Sequence, residues 1–529
     1  MTAAPPPAEA PGDPRPQGRR NRSFLILVNT LTSYMREILD IGTFLIITPF
    51  LIRTLGKDGF GLWSLVWSVV GLFALADLGF SASVVKYVAD ARGRGNVERA
   101  RTVVCTSFWI YFFIGIGLMI LTILCALVFN DIFDIQTESQ RQAAKAVLLI
   151  LGFRMILTLP LGMFRGVLIG NQQYKIANLY RMTGSLLYLG GVLFFLQRSP
   201  HLWVLALVNL VTGVVPMLAM LFHARLTIPG ISLHPRNFDR RVVKELAGFS
   251  IYFFLIQTAM AINVRVDAMI IKSYLPLEAV AIYAIAMRLS EKANVFCSQL
   301  SRTLTPMVAE LHGAGEKKNI LMVWKMGTKL TTAFGAPLLI GLGLLAGPLI
   351  RSWCPPGFEE AIPATHWLVA AVLVRVIHGN TNNILSMMGH HRFMAFVHTS
   401  GQAVNIGLSI LLLQYLGIEG VALATFLVQF PLFVFIVQPR ALRIFRIRQL
   451  PFYRDTVLPS LVPALLMAGL LILLQIVDPW ESLLTVAVFE LLGIGLFALS
   501  FWRLGFSHRE RAYFKEKILG RLNRTRPGR

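Results

Sequence analysis

The chain has 529 residues, of which 55% are hydrophobic and only 15% charged, and its mean hydropathy is +0.64. That balance excludes an ordinary soluble domain and points to a polytopic membrane protein. The net charge of +23, from 50 Lys and Arg against 27 Asp and Glu, would suggest a nucleic-acid surface if it were clustered on a soluble face. It is instead spread through short polar connections, so no nucleic-acid partner is expected.

A bilayer core about 30 Å thick needs roughly 20 helical residues to cross, and a spanning backbone must satisfy its own hydrogen bonds, so the apolar runs read as helices. Residues 1–23 are rich in Pro, Ala and Arg and are predicted to be a disordered cytoplasmic tail with no cleavable signal. Fourteen spans follow, at 24–52, 60–80, 103–129, 146–169, 182–197, 202–222, 247–271, 280–305, 329–350, 366–388, 396–416, 420–437, 456–477 and 483–503. The expected fold is an all-α polytopic bundle divided into a six-helix lobe at 24–222, a cytoplasmic linker at 223–246 and a second six-helix lobe at 247–437. A basic linker with helices 13 and 14 at 438–503 and a basic cytoplasmic tail at 504–529 complete it.

Only 7 of the 50 Lys and Arg fall in the outer loops when the N-terminus is placed inside. This positive-inside bias puts both termini in the cytoplasm. The basic tail then reads as a topology anchor on anionic lipid. The four cysteines, Cys105, Cys125, Cys297 and Cys354, show neither pairing nor metal spacing and read as packing residues. His378, His390, His391 and His398 cluster around spans 10 and 11 without a metal motif, and the outer-loop pair Asp131 and Asp134 has no neighbouring His. No metal and no cofactor is expected. There is no G-x-x-x-x-G-K-[ST] loop for ATP, and the longest outer loop, 130–145, leaves no room for a large extracytoplasmic catalytic domain. An enzyme is therefore not expected.

An internal repeat is visible. Residues 89–96 read ADARGRGN and residues 309–316 read AELHGAGE, and the same offset of 220 sets Trp63 against Tyr283 and brings Arg154 within one position of Arg375. Six spans between equivalent points imply two halves of the same orientation, an architecture of transporters with a substrate site between the halves near the midplane.

Charges inside spans are costly and normally face a bundle interior or a water-filled cavity. Mid-span positions hold five arginines, Arg36, Arg154, Arg265, Arg288 and Arg375, with Lys292 and four carboxylates, Glu37, Asp40, Asp267 and Glu291. The cations suit a diphosphate, whose oxygens Arg forks can bind bidentately. The carboxylates serve as coupling or charge-pairing groups, and the alternative for the whole set is mutual pairing as structural glue. Asp77 and Arg165 lie near span ends, where snorkelling is expected. Glu490 sits outside the repeat.

The stretch LIRTLGKDGFGLWSLVWSVVGLFALADLGFSASVVKYVADARGRGN, residues 51–96, resembles the opening of bacterial polysaccharide-exporter and O-antigen-type flippases. These belong to a superfamily that also holds multidrug extruders and lipid II flippases. The resemblance is carried by L-G-x-x-x-F-G at Leu55 to Gly61, D-L-G at Asp77 to Gly79, and a basic loop ending in G-x-G. A second similar stretch, residues 263–289, opens D-x-x-I at Asp267, runs into an aliphatic-Tyr segment and precedes a loop led by Pro306. The resemblance implies that the chain flips an isoprenoid-diphosphate-linked oligosaccharide across the bacterial cytoplasmic membrane for surface polysaccharide or lipopolysaccharide assembly. Its partners would be that lipid-linked substrate, membrane lipids, and a glycan polymerase or glycosyltransferases. A cation-coupled multidrug extruder of the same superfamily and a membrane-embedded glycosyltransferase or polymerase are the alternatives. Reporter fusions are expected to place Asp131 and Glu359 outside and Arg240 and Lys317 inside. Termini on opposite sides would contradict the assignment.

Overall fold

The computed structural model describes residues 15–73, 80–246, 265–477, 482–506 and 510–511. Expectations for residues 1–14, Asp77, most of span 7 and most of the C-terminal tail lie outside the described residues. The described residues form helices and connections with no strand. In chain order the helices are α1 (Arg15–Leu72), α2 (Phe80–Gly93), α3 (Val97–Ile132), α4 (Glu138–Gly170), α5 (Tyr174–Arg198) and α6 (Leu202–Thr227). Then come α7 (265–274), α8 (Leu277–Gly313), α9 (Lys317–Leu344), α10 (Ala346–Trp353), α11 (Ala361–Met387) and α12 (His391–Pro431). The last four are α13 (Gln438–Phe445), α14 (Gln449–Thr456), α15 (Leu458–Val477) and α16 (Leu483–Ser500). The helix of α1 takes in residues 15–23, predicted to be disordered, because extending a helix already nucleated by the apolar run costs little per residue.

Among the described residues nine helices are long and apolar enough to cross a membrane, or ten if the bent pair α9 and α10 is one span. Large side chains on their outer faces, such as Leu127, Phe222, Leu465 and Leu491, stand exposed. A water-soluble protein does not present so much apolar surface, whereas lipid solvates it.

Two of the nine are too long for one crossing. Leu31–Leu72 has 42 residues and Arg392–Phe445 has 54, about 63 Å and 81 Å at 1.5 Å per residue. Each contains one non-helical glycine, Gly56 (φ 72, ψ 173) and Gly417 (φ 59, ψ −141), in conformations that a Cβ disfavours. At Gly417 the chain turns back on itself, since Asn405 Nδ2 donates to Thr425 Oγ1 at 3.4 Å, twenty residues on.

The repeat seen in the sequence recurs in hydrogen bonds. After α2, Arg94 N donates to Asp90 O (3.0 Å), Gly95 N to Arg92 O (3.0 Å) and Asn96 N to Ala91 O (2.9 Å). After α8, Ala314 N donates to Glu310 O (3.0 Å), Gly315 N to His312 O (3.1 Å) and Glu316 N to Leu311 O (3.0 Å). Every pair is related by 220 residues, and both turns are Schellman closures with a left-handed glycine, Gly95 at φ 66 and Gly315 at φ 73.

Helices α2 to α6 pack on one another and on α1, while α8 to α16 pack among themselves, and α1 against α8 joins the two groups. At this seam Gly61 lies on the carbonyl of Leu277. The terminal pair α15 and α16 packs on α9 through Ala333 and Ala336 against Ala464, Met467 and Phe497. Replacing Gly61 by Ala would drive a Cβ into that backbone carbonyl, whereas Gly42 has open space around its Cβ position. Gly61→Ala should therefore lower the thermal midpoint of the detergent-purified protein by several degrees, an overpacking cost of about 1–3 kcal/mol. Gly42→Ala should leave the midpoint within about a degree. Equal midpoints would show that the seam is not closely packed.

Candidate functional site

A cavity of about 700 Å³ opens between the two helix groups. Four helices of the first group give it one stripe each at helical spacing. These are Asp40, Thr43, Ile47 and Leu51 of α1; Arg154, Thr158, Gly162 and Arg165 of α4; Arg181, Gly184, Ser185 and Tyr188 of α5; and Asn209, Thr212, Gly213 and Pro216 of α6. The opposite wall is α8, with Arg288, Glu291 and Lys292. A side chamber of about 260 Å³ shares Trp67, Arg288, Glu291 and Lys292 with it and adds Arg265, Ser64 and Ser68.

The lining of the main cavity carries five cations, Arg154, Arg165, Arg181, Arg288 and Lys292, against two carboxylates, Asp40 and Glu291. Asp40 accepts a hydrogen bond from Ser185 Oγ at 2.5 Å and lies 4.0 Å from Arg36 Nε, and Arg36 Nη2 bonds Glu37 at 2.8 Å. Arg36 lies behind the lining, with Nη2 on Glu37 and a buried Nε that has no hydrogen-bond partner. Arg154 lies on the lining itself. Its Nε is buried without a hydrogen-bond partner, its guanidinium lies 6.0 Å from the Trp67 ring, and a Cβ on Gly213 would stand 3.0 Å from its Nη2. Arg288 lies over Phe60 at 5.2 Å and reaches Ser64 Oγ at 3.5 Å. Arg265 rests on Gly71, where a Cβ would come within 2.6 Å of its Nε.

Of the residues singled out from the sequence, Asp40, Arg154, Arg288, Glu291 and Lys292 are thus brought to one cavity and Arg265 to its side chamber. Two are not. Asp267 accepts a hydrogen bond from Tyr283 at 2.6 Å within the protein, and Arg375 donates to Gln429 Oε1 at 3.1 Å, outside the linings of both chambers. Two cavity cations escaped the sequence reading. Arg165 was assigned to the interface, and Arg181 fell one residue outside its span. The spacing held a signal, since eleven residues are three turns of helix and set Arg154 and Arg165 on one face. The histidines have ordinary partners: His378 contacts Val374 O and Tyr453 OH, each at 2.8 Å, and His398 contacts Asn382 Nδ2 at 3.3 Å.

At the end marked by Gly56 the two helix groups are latched. Trp353 Nε1 donates to Leu45 O at 2.8 Å and its ring meets Phe44 edge-on at 5.2 Å. Lys57 lies 5.5 Å over the ring of Phe358, which is fully buried. The turn carrying Phe358 is stiffened by Gly357 N donating to Glu359 Oε1 at 3.2 Å. Backbone N–H groups of Glu359 and Gly357, with Lys57 and Arg351 nearby, hold the Glu359 carboxyl below its usual range.

A multi-helix bundle with two packed groups, a polar cavity between them and a latch at one end defines a transporter-like membrane protein. The sequence profile of Polysacc_synt, described as Polysaccharide biosynthesis protein, matches residues 24–312. That is more than half of the chain, which therefore belongs to this family. The chain is 22% identical over 380 residues to the Uncharacterized membrane protein EpsK of Bacillus subtilis (strain 168), covering 71% of this chain and 75% of that one. It is 20% identical over 383 residues to a Putative O-antigen transporter of Shigella flexneri, covering 71% and 88%. Among solved structures its fold matches the lipid II flippase MurJ in an inward closed conformation, with TM-score 0.69, 15% identity and 90% and 99% coverage. It also matches an inward-facing multidrug resistance MATE family transporter, with TM-score 0.66, 16% identity and 78% and 96% coverage.

Trp353→Phe removes the hydrogen bond to Leu45 O and keeps most of the ring, a loss of about 0.5–1.5 kcal/mol. The latched state should lose population several-fold. A cysteine at Thr43, which lines the cavity on the far side of Leu45, should then react faster with a membrane-impermeant thiol reagent added outside than the same cysteine with Trp353 intact. Unchanged labelling would show that the contact does not gate this end.

Proposed function

We propose that this chain translocates an isoprenoid-diphosphate-linked oligosaccharide from the inner to the outer leaflet of a bacterial cytoplasmic membrane, for the assembly of surface polysaccharide such as lipopolysaccharide O-antigen. The observation that carries this reading is the excess of cations in the cavity. A pyrophosphate bridge holds about two negative charges, and in a site shielded from water a guanidinium binds phosphate oxygens with strong bidentate bonds. The family description and the name of the Shigella flexneri relative agree with a glycan-linked substrate. A multidrug extruder that recognises organic cations is the second reading, favoured only by the fold it shares. It would need carboxylates to dominate the cavity, whereas the lining holds two, Asp40 and Glu291, against five cations.

In this reading the chain crosses fourteen times with both termini in the cytoplasm. The breaks at Gly56 and Gly417 then divide the two double-length helices, and residues 24–222 and 247–437 are two six-helix lobes joined by 223–246, with α15 and α16 as the added pair. The equivalent turns at Gly95 and Gly315 support it, as does the grouping of contacts on either side of the α1–α8 seam. Transport is by alternating access: the diphosphate and glycan enter the cavity, the isoprenoid chain stays in lipid, and the latch at Trp353 opens as the other end closes. No bond is made or broken.

Arg154→Ala and Arg288→Ala, expressed in a strain lacking the native exporter, should each reduce surface polysaccharide at least tenfold while the amount of protein in the membrane stays near wild type. Arg→Lys at either position should restore only part of it, because an ammonium lacks the planar fork. Full export by both Ala variants at normal abundance would overturn the assignment. Loss of the protein itself, restored by neutralising a nearby carboxylate such as Glu291, would assign the arginines to structural pairing.

A further inference from the structure

The cavity cations fall into two groups rather than one. Arg165 lies five residues before the end of α4 at Gly170, and Arg181 seven residues after the start of α5 at Tyr174, so both stand at the end of the cavity marked by the α4–α5 turn. Arg154, Arg288 and Lys292 stand deeper. Arg154 and Arg165 share one face of α4 at a separation of eleven residues, about 16 Å along the axis. The two phosphorus atoms of a diphosphate share one bridging oxygen, so such a head group spans only a part of that separation.

The groups also differ in setting. Arg165 is exposed and Arg181 half-buried on the cavity lining, and neither guanidinium makes a hydrogen bond or ion pair among the described residues, the one contact of Arg181 being its carbonyl, which accepts from Ser185 Oγ. Asp40, the carboxylate on this part of the lining, is already engaged by Ser185 and Arg36. Arg154 is more enclosed, with its Nε buried and unpartnered and its guanidinium between Trp67 and Gly213. A hydrated cation attracts an anion over a distance but holds it weakly, because water and salt screen the contact. A cation shielded from water forms short charge-assisted bonds that must break before the anion leaves.

Building on the flippase reading, we propose that the two groups act in sequence: Arg165 and Arg181 form a capture station that draws the diphosphate head group from the membrane surface, and Arg154 with Arg288 and Lys292 forms the holding station. Capture at a hydrated mouth governs the association rate, and release from the holding station governs the dissociation rate.

The test uses the full-length protein in lipid nanodiscs, with farnesyl diphosphate as the probe and stopped-flow tryptophan fluorescence as the readout, since Trp63 and Trp67 line the cavity. Arg165→Gln and Arg181→Gln should each slow association about fivefold and flatten its dependence on salt, with dissociation unchanged within about twofold. Arg154→Gln should speed dissociation about tenfold or more, with association little altered. Lysine at 165 or 181 should restore association, because charge alone suffices there, whereas lysine at 154 should not restore slow dissociation. If the variants at 165 and 181 speed dissociation as much as Arg154→Gln does, the cations form one composite site and the two-station order is wrong. If they change neither rate, the mouth arginines have no part in binding. Wild-type protein that fails to bind farnesyl diphosphate would instead overturn the flippase reading itself.

Discussion

A charge inside a hydrocarbon slab must meet a counter-charge, a hydrogen bond or water, and the arrangement of this bundle follows from that demand. The first half sends its intramembrane cations inward, where α1, α4, α5 and α6 together enclose enough space for water or a ligand. The outer faces of the same helices are given over to residues such as Leu127 and Phe222. Because helical side chains recur on one face every three or four residues, one stripe per helix is enough to build a continuous polar wall.

The seam between the halves is unevenly packed, and that unevenness gives the structure its direction. At the Gly56 end, Gly61 meets the Leu277 carbonyl and Trp353 is bonded to Leu45 O, so the helix groups are in close contact. Towards the α4–α5 turn the same helices part to form the cavity. The latch is built from a single indole hydrogen bond, one aromatic pair and a lysine over a ring, contacts worth about 0.5–1.5 kcal/mol each. Their modest sum suits a closure that opens repeatedly.

Much of this was legible in the sequence because the membrane simplifies the code. Apolar runs marked the helices, the G-x-G turns marked the repeat, and the intramembrane charges included five of the seven charged residues on the cavity lining. What was not legible has two causes. Span boundaries depend on where the bilayer ends, so Arg165 and Arg181 read as edge residues although helix packing turns them into the cavity. The fate of a buried charge also depends on partners distant in sequence: nothing in the local pattern tells that Asp267 is satisfied by Tyr283 or Arg375 by Gln429. The double-length helices α1 and α12 were anticipated as separate spans, because Gly56 and Gly417 lie where the apolar runs are interrupted.

The repeat sharpens the contrast between the halves. Arg154 and Arg375 occupy nearly equivalent positions at the internal offset, yet Arg375 is bonded to Gln429 while Arg154 faces the cavity with an unpartnered Nε. Around Arg375, several polar groups bond one another: Asn380 donates to Thr331 (3.0 Å), Trp324 to Thr381 (3.1 Å), Thr381 to Gln438 (2.7 Å), and His378 meets Tyr453, while Gln438 Nε2 keeps no partner. Bonds of this kind stiffen the helices they join. In the first half, Asn209 keeps a buried oxygen without a partner and Arg154 a buried nitrogen, both on the cavity lining. Unmet hydrogen-bonding capacity is costly in an empty protein and is repaid when a ligand supplies the missing partner. Arg154 and Asn209 therefore hold out a donor and an acceptor on the cavity lining that a bound group can engage.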